Sequence, residues 1–189
     1  MKQPPQKVTA IAIRAQNYKE KAKLISLYTK EYGLLSVIAY KPHLYLAPPM
    51  NIEALVKPSR SLWTLSEAHL LSANDHLRAT LPLIESISML FKAIANSQEA
   101  HHENERLFTL LQSFIEKLPS FKDPQIATLT FLLKFRRLEG TLDLSEISPG
   151  SLLDQLLNAT SFSSISQLTL PTGARHYLTK NLESIGKNH

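Results

Sequence analysis

The sequence predicts an α+β protein, with a small closed barrel of five β-strands followed by an all-α helical domain. Three observations carry this. The first part of the chain reads as short β-rich runs separated by Gly, Pro and Ser turns. From Asn74 onward the apolar residues recur at helical spacing instead. The aromatic residues divide the same way: five of six tyrosines precede residue 46, and all seven phenylalanines follow residue 90. A ring with a polar tip tolerates a wet surface, whereas a plain ring prefers burial. The two parts are therefore built for different tasks, and the expected domains are residues 1–73 and 74–189.

The strands follow in order. VTAIAIRA (8–15) is short and β-rich, and KAKLISLYTKE (21–31) is a second strand candidate. It closes at Tyr32-Gly33, where glycine permits a left-handed turn, so LLSVIAYK (34–41) completes a hairpin. KPHLYLAPPM (41–50) is a loop punctuated by prolines. NIEALVK (51–57) alternates Ile52, Ala54 and Val56 with Glu53 and Lys57, and LWTLSEAHLL (62–71) is the fifth candidate. Five short strands without a flat, edge-safe sheet favour closure into a barrel.

The helices carry their own start signals. Leu77, Leu81, Ile84, Ile87, Phe91 and Ile94 share one helical face, with a restart at Thr80-Leu81-Pro82 because proline is tolerated in a first turn. ANSQEAHHEN (95–104) reads as a loop, and Leu107 to Leu118 as the next helix. Asp123-Pro124 is an N-cap followed by proline, and that helix runs to Gly140. Ser148-Pro149 repeats the signal before SLLDQLL, and a last helix is expected from Thr172 to Gly186. That makes a bundle of about five helices.

Composition excludes several classes. With no cysteine there is no disulfide framework and no thiolate zinc site, which fits a reducing compartment. The N-terminal MKQPPQKVTAIAIRAQ has no run long enough for a secretory signal, and no stretch is apolar enough to span a bilayer. The expected location is the cytoplasm. The net charge of +5 is unevenly spread: residues 1–60 carry +7 and residues 61–189 carry −2.

Catalytic patterns are missing. The five glycines, Gly33, Gly140, Gly150, Gly173 and Gly186, are too far apart to cradle phosphates, so Walker-type and dinucleotide fingerprints are absent. There is no nucleophile elbow and no His-Glu-x-x-His pair. His101-His102-Glu103 with Glu105 is the one local cluster of metal-ligand types, but adjacent histidines point apart. It reads as a polar loop that brings acids to a helix N-terminus. No enzyme activity, metal or cofactor is expected.

The stretch NYKEKAKLISLYTKEYGLLSVIAYK (17–41) holds five lysines, four tyrosines and two acids. In an extended segment Lys19, Lys21 and Lys23 leave one face at a repeat of roughly 7 Å. Arg14, Lys30 and Lys41 widen that line, and outward tyrosines offer rings on which bases stack. Two structural readings compete: lysines protect exposed strand edges, and Tyr28 and Tyr40 are barrel core. Edge protection does not account for a half at +7 beside a half at −2, and a basic half attracts nucleic acid through its long-range field. A protein-interaction adaptor and an RNA-binding protein remain alternatives.

The order of residues from Ala10 resembles the start of the RecO family of DNA repair and recombination mediators. The matches are Ile11, Ile13, Arg14, Tyr18, Glu20, Ala22, Leu24, Thr29, Glu31, Gly33 and Leu35. LAPPMNIEALV adds Leu46, Pro48 and Leu55, and LWTLSEAHLLS adds Leu65, Glu67 and Ala68. FLLKFRRLEGTLDL (131–144) looks like the family's helix-to-glycine segment. The resemblance implies an oligonucleotide-binding (OB-type) barrel on a helical domain that binds single- and double-stranded DNA and anneals complementary strands without turnover. It also implies RecR and the C-terminal tail of single-strand binding protein as partners, RecA indirectly, no membrane, and a cytoplasmic, nucleoid-associated location. The residues expected to bind DNA are Arg14, Tyr18, Lys19, Lys21, Lys23, Lys30, Tyr40, Lys41 and Lys57. Arg136 and Arg137 are expected either to receive a partner's acidic tail or to be the solvated end of a helix. Two departures stand out. The four-cysteine zinc module of many members is missing, and the loop after the third strand is short, with Lys41 its only formal charge.

Overall fold

A computed structural model describes residues 4–41, 43–59, 62–98 and 101–171. The chain forms two compact units: residues Met1–Asp75 with Gln98–Phe108, and residues His76–Ser97 with Thr109–His189.

The first unit is a closed five-stranded barrel. Its strands are β1 (Gln6–Lys19), β2 (Ala22–Thr29), β3 (Gly33–Tyr40), β4 (Asn51–Lys57) and β5 (Trp63–Ser72). They run in the order β1-β2-β3-β5-β4, and β4 returns to β1. All pairings are antiparallel except β3 with β5, which meet only through Val37↔Trp63 and Ile38↔Thr64. β1 serves two partners in succession. Its first half pairs with β4 and its second with β2, with irregularities between Ala12 and Arg14 and between Asn17 and Lys19. Such bulges bend a strand and sharpen its twist, which a small closed barrel requires. The interior follows the period-two alternation: Val8, Ala10, Ala12, Ile25, Leu27, Leu35, Val37, Ala39, Ile52, Ala54, Val56, Trp63 and Leu65 point inward. The alanines keep the narrow interior from overfilling, and Leu46 from the β3–β4 loop joins the same core.

Gln98 and residues 101–108 belong to the same unit, although the sequence reads as a polar loop over 95–104. His101 N–H donates to the Leu34 carbonyl at 3.1 Å, and the His101 ring lies 5.4 Å from that of Trp63, which in turn meets Tyr32 at 5.3 Å. Tyr28 is fully buried on the outer side of β2, its ring stacked on Phe108. Asn104 caps the following helix by accepting from Leu107 N–H at 3.0 Å.

The second unit is helical. Its elements are α1 (Leu81–Ser97), α2 (Glu105–Lys117, whose first turn belongs to the barrel unit), α3 (Pro124–Leu138) and α4 (Leu152–Asn158). The expected last helix, Thr172–Gly186, lies outside the described residues. α3 is buried on nearly every side from Ile126 to Phe135, as a central helix must be. The phenylalanines form the core here: Phe114 meets Phe131 and Phe162 edge-on at 5.5 and 5.0 Å, and Phe131 stacks on Phe135. Asp123 caps α3 through Gln125 N–H. The helix ends in a Schellman motif, in which Thr141 N–H reaches the Arg136 carbonyl and Gly140 N–H the Arg137 carbonyl, with Gly140 at φ +68°. α1 starts at Leu81, at the restart expected from Thr80-Leu81-Pro82, but Leu77 lies in a separate 3-10 turn (Asp75–Arg78), Leu81 and Ile84 are exposed, and the buried face of α1 begins at Ser86. One helix start differs from expectation. α4 starts from Ser151, not Ser148, because Gly150 at φ +74° interrupts the helical path.

Candidate nucleic-acid interface

β1, β2 and β3 contain no Asp or Glu. On their outer side the pairing aligns Arg14 with Ser26 and Ser36, and Gln16 with Leu24 and Ile38. The second of these rungs continues through Thr64 to Lys57. The C-terminal ends of β1 and β3 and the start of β2 come together at one end of the barrel, since Lys19 and Tyr40 both pair with Ala22.

That end gathers most of the residues expected from the sequence, by a different geometry from the one expected. The segment from Lys19 to Lys23 is not one extended strand. Lys19 ends β1, Glu20 and Lys21 form the turn, and Lys23 lies in β2. The lysines are therefore grouped around a hairpin tip, not lined up at a two-residue repeat. Lys23 is flanked by Asn17 on one side and Ala39 on the other, so it guards no open edge. Lys41 follows β3 directly. Among the described residues Arg14, Lys21, Lys23, Lys41 and Lys57 form no ion pair, whereas Lys7 meets Glu53 at 3.1 Å and Lys30 meets Glu105 at 2.9 Å. Lys30 stands beyond the far end of β2 and is not brought to the hairpin tip. Its hydrogen bond to Glu105 and the charge of that carboxylate raise its pKa above the usual lysine value.

The tyrosines sort by position. Tyr18, Tyr40 and Tyr45 are 44%, 48% and 47% exposed, against 0% for Tyr28. All three lie at the end that carries Lys21, Lys23 and Lys41. Tyr40 is therefore not barrel core, whereas Tyr28 is buried. Tyr45 sits on a 3-10 turn (His43–Tyr45) that the sequence showed only as loop, so the short β3–β4 connection contributes a ring in place of charges. An open groove of about 410 Å³ runs between this turn and the hairpin, lined by Asn17, Tyr18, Glu20, Ala22, Lys23 and Leu44. Asn17, Glu20 and Leu44 escape a reading that looks for cations, because none of them carries positive charge.

Of the four acids in residues 1–73, two are engaged elsewhere in the barrel. Glu31 accepts from Thr9 N–H at 3.0 and 3.1 Å, and Glu53 holds Lys7. In the helical unit Arg136 donates to the Thr141 carbonyl at 2.9 Å and is half-buried, while Arg137 is exposed beside exposed Leu138. Among the described residues no His, Cys, Asp and Glu cluster is able to hold a metal ion, and no helix is long and apolar enough to cross a membrane.

A closed barrel in this strand order, with a basic, ring-bearing end, defines an OB-type domain. Residues 1–74 match the family model described as Recombination protein O N terminal. The chain is 31% identical over 169 residues to DNA repair protein RecO of Chlorobium phaeobacteroides, covering 78% of this chain and 64% of that protein. It is 26% identical over 146 residues to DNA repair protein RecO of Chlamydia pneumoniae, covering 73% and 58%. A third match, DNA repair protein RecO of Bacillus cytotoxicus, is 26% identical over 136 residues, covering 68% and 55%. The first 74 residues of this chain thus match the N-terminal part of RecO proteins, and the chain is similar to RecO proteins over most of its length. It spans between about half and two thirds of the length of these relatives.

Proposed function

We propose that this protein is a non-enzymatic mediator of DNA repair and recombination whose barrel binds single- and double-stranded DNA and anneals complementary strands. The observation that carries this is the barrel end that brings together Lys21, Lys23 and Lys41, which form no ion pair among the described residues, and the half-exposed Tyr18 and Tyr40 on strands without a carboxylate, with Tyr45 on the turn that follows β3. Cations that hold no protein acid are available to replace the counterions of a phosphate backbone. Exposed rings stack on unpaired bases whatever their sequence. Annealing needs two strands brought close with their charge cancelled, and such a surface supplies this without covalent chemistry. The names of the relatives, all DNA repair proteins, support the same reading.

In this reading residues 1–73 form the DNA-binding domain and residues 74–189 dock protein partners. RecR and the acidic tail of single-strand binding protein are the proposed partners, with RecA served indirectly. Arg136 and Arg137 at the end of α3, beside Leu138, are the proposed contact for such a tail. The experiment is a titration of fluorescent single-stranded oligonucleotides at several salt concentrations, followed by an annealing assay with complementary strands. Binding that weakens steeply with salt is expected, together with annealing faster than the spontaneous rate. Salt-independent or undetectable binding would overturn the reading. Changing Arg136 and Arg137 to Glu should leave DNA binding intact.

A further inference from the structure

We propose that the groove at the hairpin tip is a pocket for one unpaired guanine, read by Glu20; this rests on the DNA-binding reading above and specifies how the same surface meets a base. Glu20 is the one acidic residue among residues 4–30. It is exposed, lines the groove, and has neither a hydrogen bond nor an ion pair among the described residues. Glu31 and Glu53, by contrast, are satisfied within the barrel. A free carboxylate on a surface meant for phosphates repels its ligand. The repulsion is offset where the ligand brings N–H donors to both carboxylate oxygens.

Among the four DNA bases only guanine presents two adjacent N–H donors, N1–H and the 2-amino group, on its Watson–Crick edge. Thymine offers one N–H flanked by carbonyl oxygens, and adenine and cytosine each place a ring acceptor beside their amino group. The other lining residues complete the match. The Asn17 amide is a donor for guanine O6, the Tyr18 ring is a stacking face, and Lys23 is a cation for the adjoining phosphate. The volume, about 410 Å³, accommodates a purine with its sugar. In a duplex that edge is already paired with cytosine, so the pocket accepts guanine only from a single strand.

The test measures binding of oligo(dT) carrying one central dG, dI or dT by fluorescence anisotropy, with the wild-type chain and with E20Q. Hypoxanthine keeps N1–H but lacks the 2-amino group. The expected result is about tenfold tighter binding of the dG oligonucleotide than of dT, with dI between them. In E20Q that ratio should collapse, while binding of plain oligo(dT) stays as tight or tightens. Equal affinity for all three oligonucleotides, with salt-dependent binding intact, would overturn the pocket and leave the DNA-binding reading standing. A dG preference that persists in E20Q would overturn the role of Glu20. Loss of binding to every oligonucleotide would overturn the DNA-binding reading itself, and the pocket with it.

Discussion

Gly33 lies against the carbonyl oxygen of His102 so closely that no β-carbon fits between them. Its φ of +61° sets the β2–β3 turn, so the position excludes side chains for two separate reasons. Gly33→Ala should destabilise the protein by about 2–4 kcal/mol, combining left-handed strain with overpacking. Gly33→Asn separates the two causes. Asparagine tolerates the left-handed region but brings the same β-carbon, so it should not recover the loss. The shift in urea midpoint for both variants is the measurement. Recovery by asparagine would mean that the turn matters and the packing of the 98–108 segment does not.

The division between paired and unpaired cations makes a prediction about salt. Lys21→Ala, Lys23→Ala and Lys41→Ala together should flatten the dependence of log K on log salt for single strands by about 2, at roughly 0.7 for each phosphate no longer neutralised. Lys7→Ala and Lys30→Ala remove the same kind of charge from ion-paired positions. Their slopes should stay close to wild type. An equal effect from both sets would mean that overall charge, not the hairpin tip, controls binding.

Much of the fold was legible because burial and period coincide in the strands. Ile52, Ala54 and Val56 alternate cleanly with Glu53 and Lys57, and all three face the barrel interior. Asp123-Pro124 read correctly as a helix start because a cap is a local device. What stayed hidden depends on distant partners. β1 continues to Lys19 across two irregularities, which no alternation pattern signals. The two-residue spacing of Lys19, Lys21 and Lys23 suggested one strand face, but the turn at Glu20-Lys21 breaks that face. His101 packs on Trp63 from a segment whose polar composition reads as free loop. In the candidate site the cations were visible in the sequence, whereas the pairing of Lys30 with Glu105 and the exposure of Tyr45 required the tertiary structure.

Asp123 serves two segments at once. One carboxylate oxygen accepts from Gln125 N–H at 3.0 Å and the other from Leu170 N–H at 2.9 Å. Asp123→Ala should therefore cost more than an ordinary N-cap, whose loss is worth about 1 kcal/mol. Asp123→Asn keeps one acceptor oxygen for the cap and should fall between wild type and alanine. Thermal unfolding of the two variants checks this order. Equal stabilities for Asn and Ala would mean that the bond to Leu170 carries the whole effect.

Asp143 ties the end of the α3 connection to its own pH dependence. Its carboxylate accepts from the Ser145 hydroxyl at 2.7 Å and from Ser145 N–H at 2.9 Å, capping the 3-10 turn Leu144–Glu146. These bonds, the hydroxyl first, favour the ionised form and lower its pKa below 3.8, and Arg136 adds a smaller attraction in the same direction. A carboxylate with a lowered pKa in the folded state contributes stability above its unfolded value and loses it as pH falls through the folded one. The turn should therefore hold its structure at neutral pH and loosen only below pH 3.8. Carboxyl-detected NMR titration reads this directly. Ser145→Ala removes the largest cause and should raise the Asp143 midpoint towards 3.8, and Arg136→Ala should raise it less. The reverse order would make the guanidinium, not the hydroxyl, the group that holds the charge. Arg136 would then be held chiefly by Asp143 in addition to the Thr141 carbonyl, which would weaken its proposed role in receiving a partner's acidic tail.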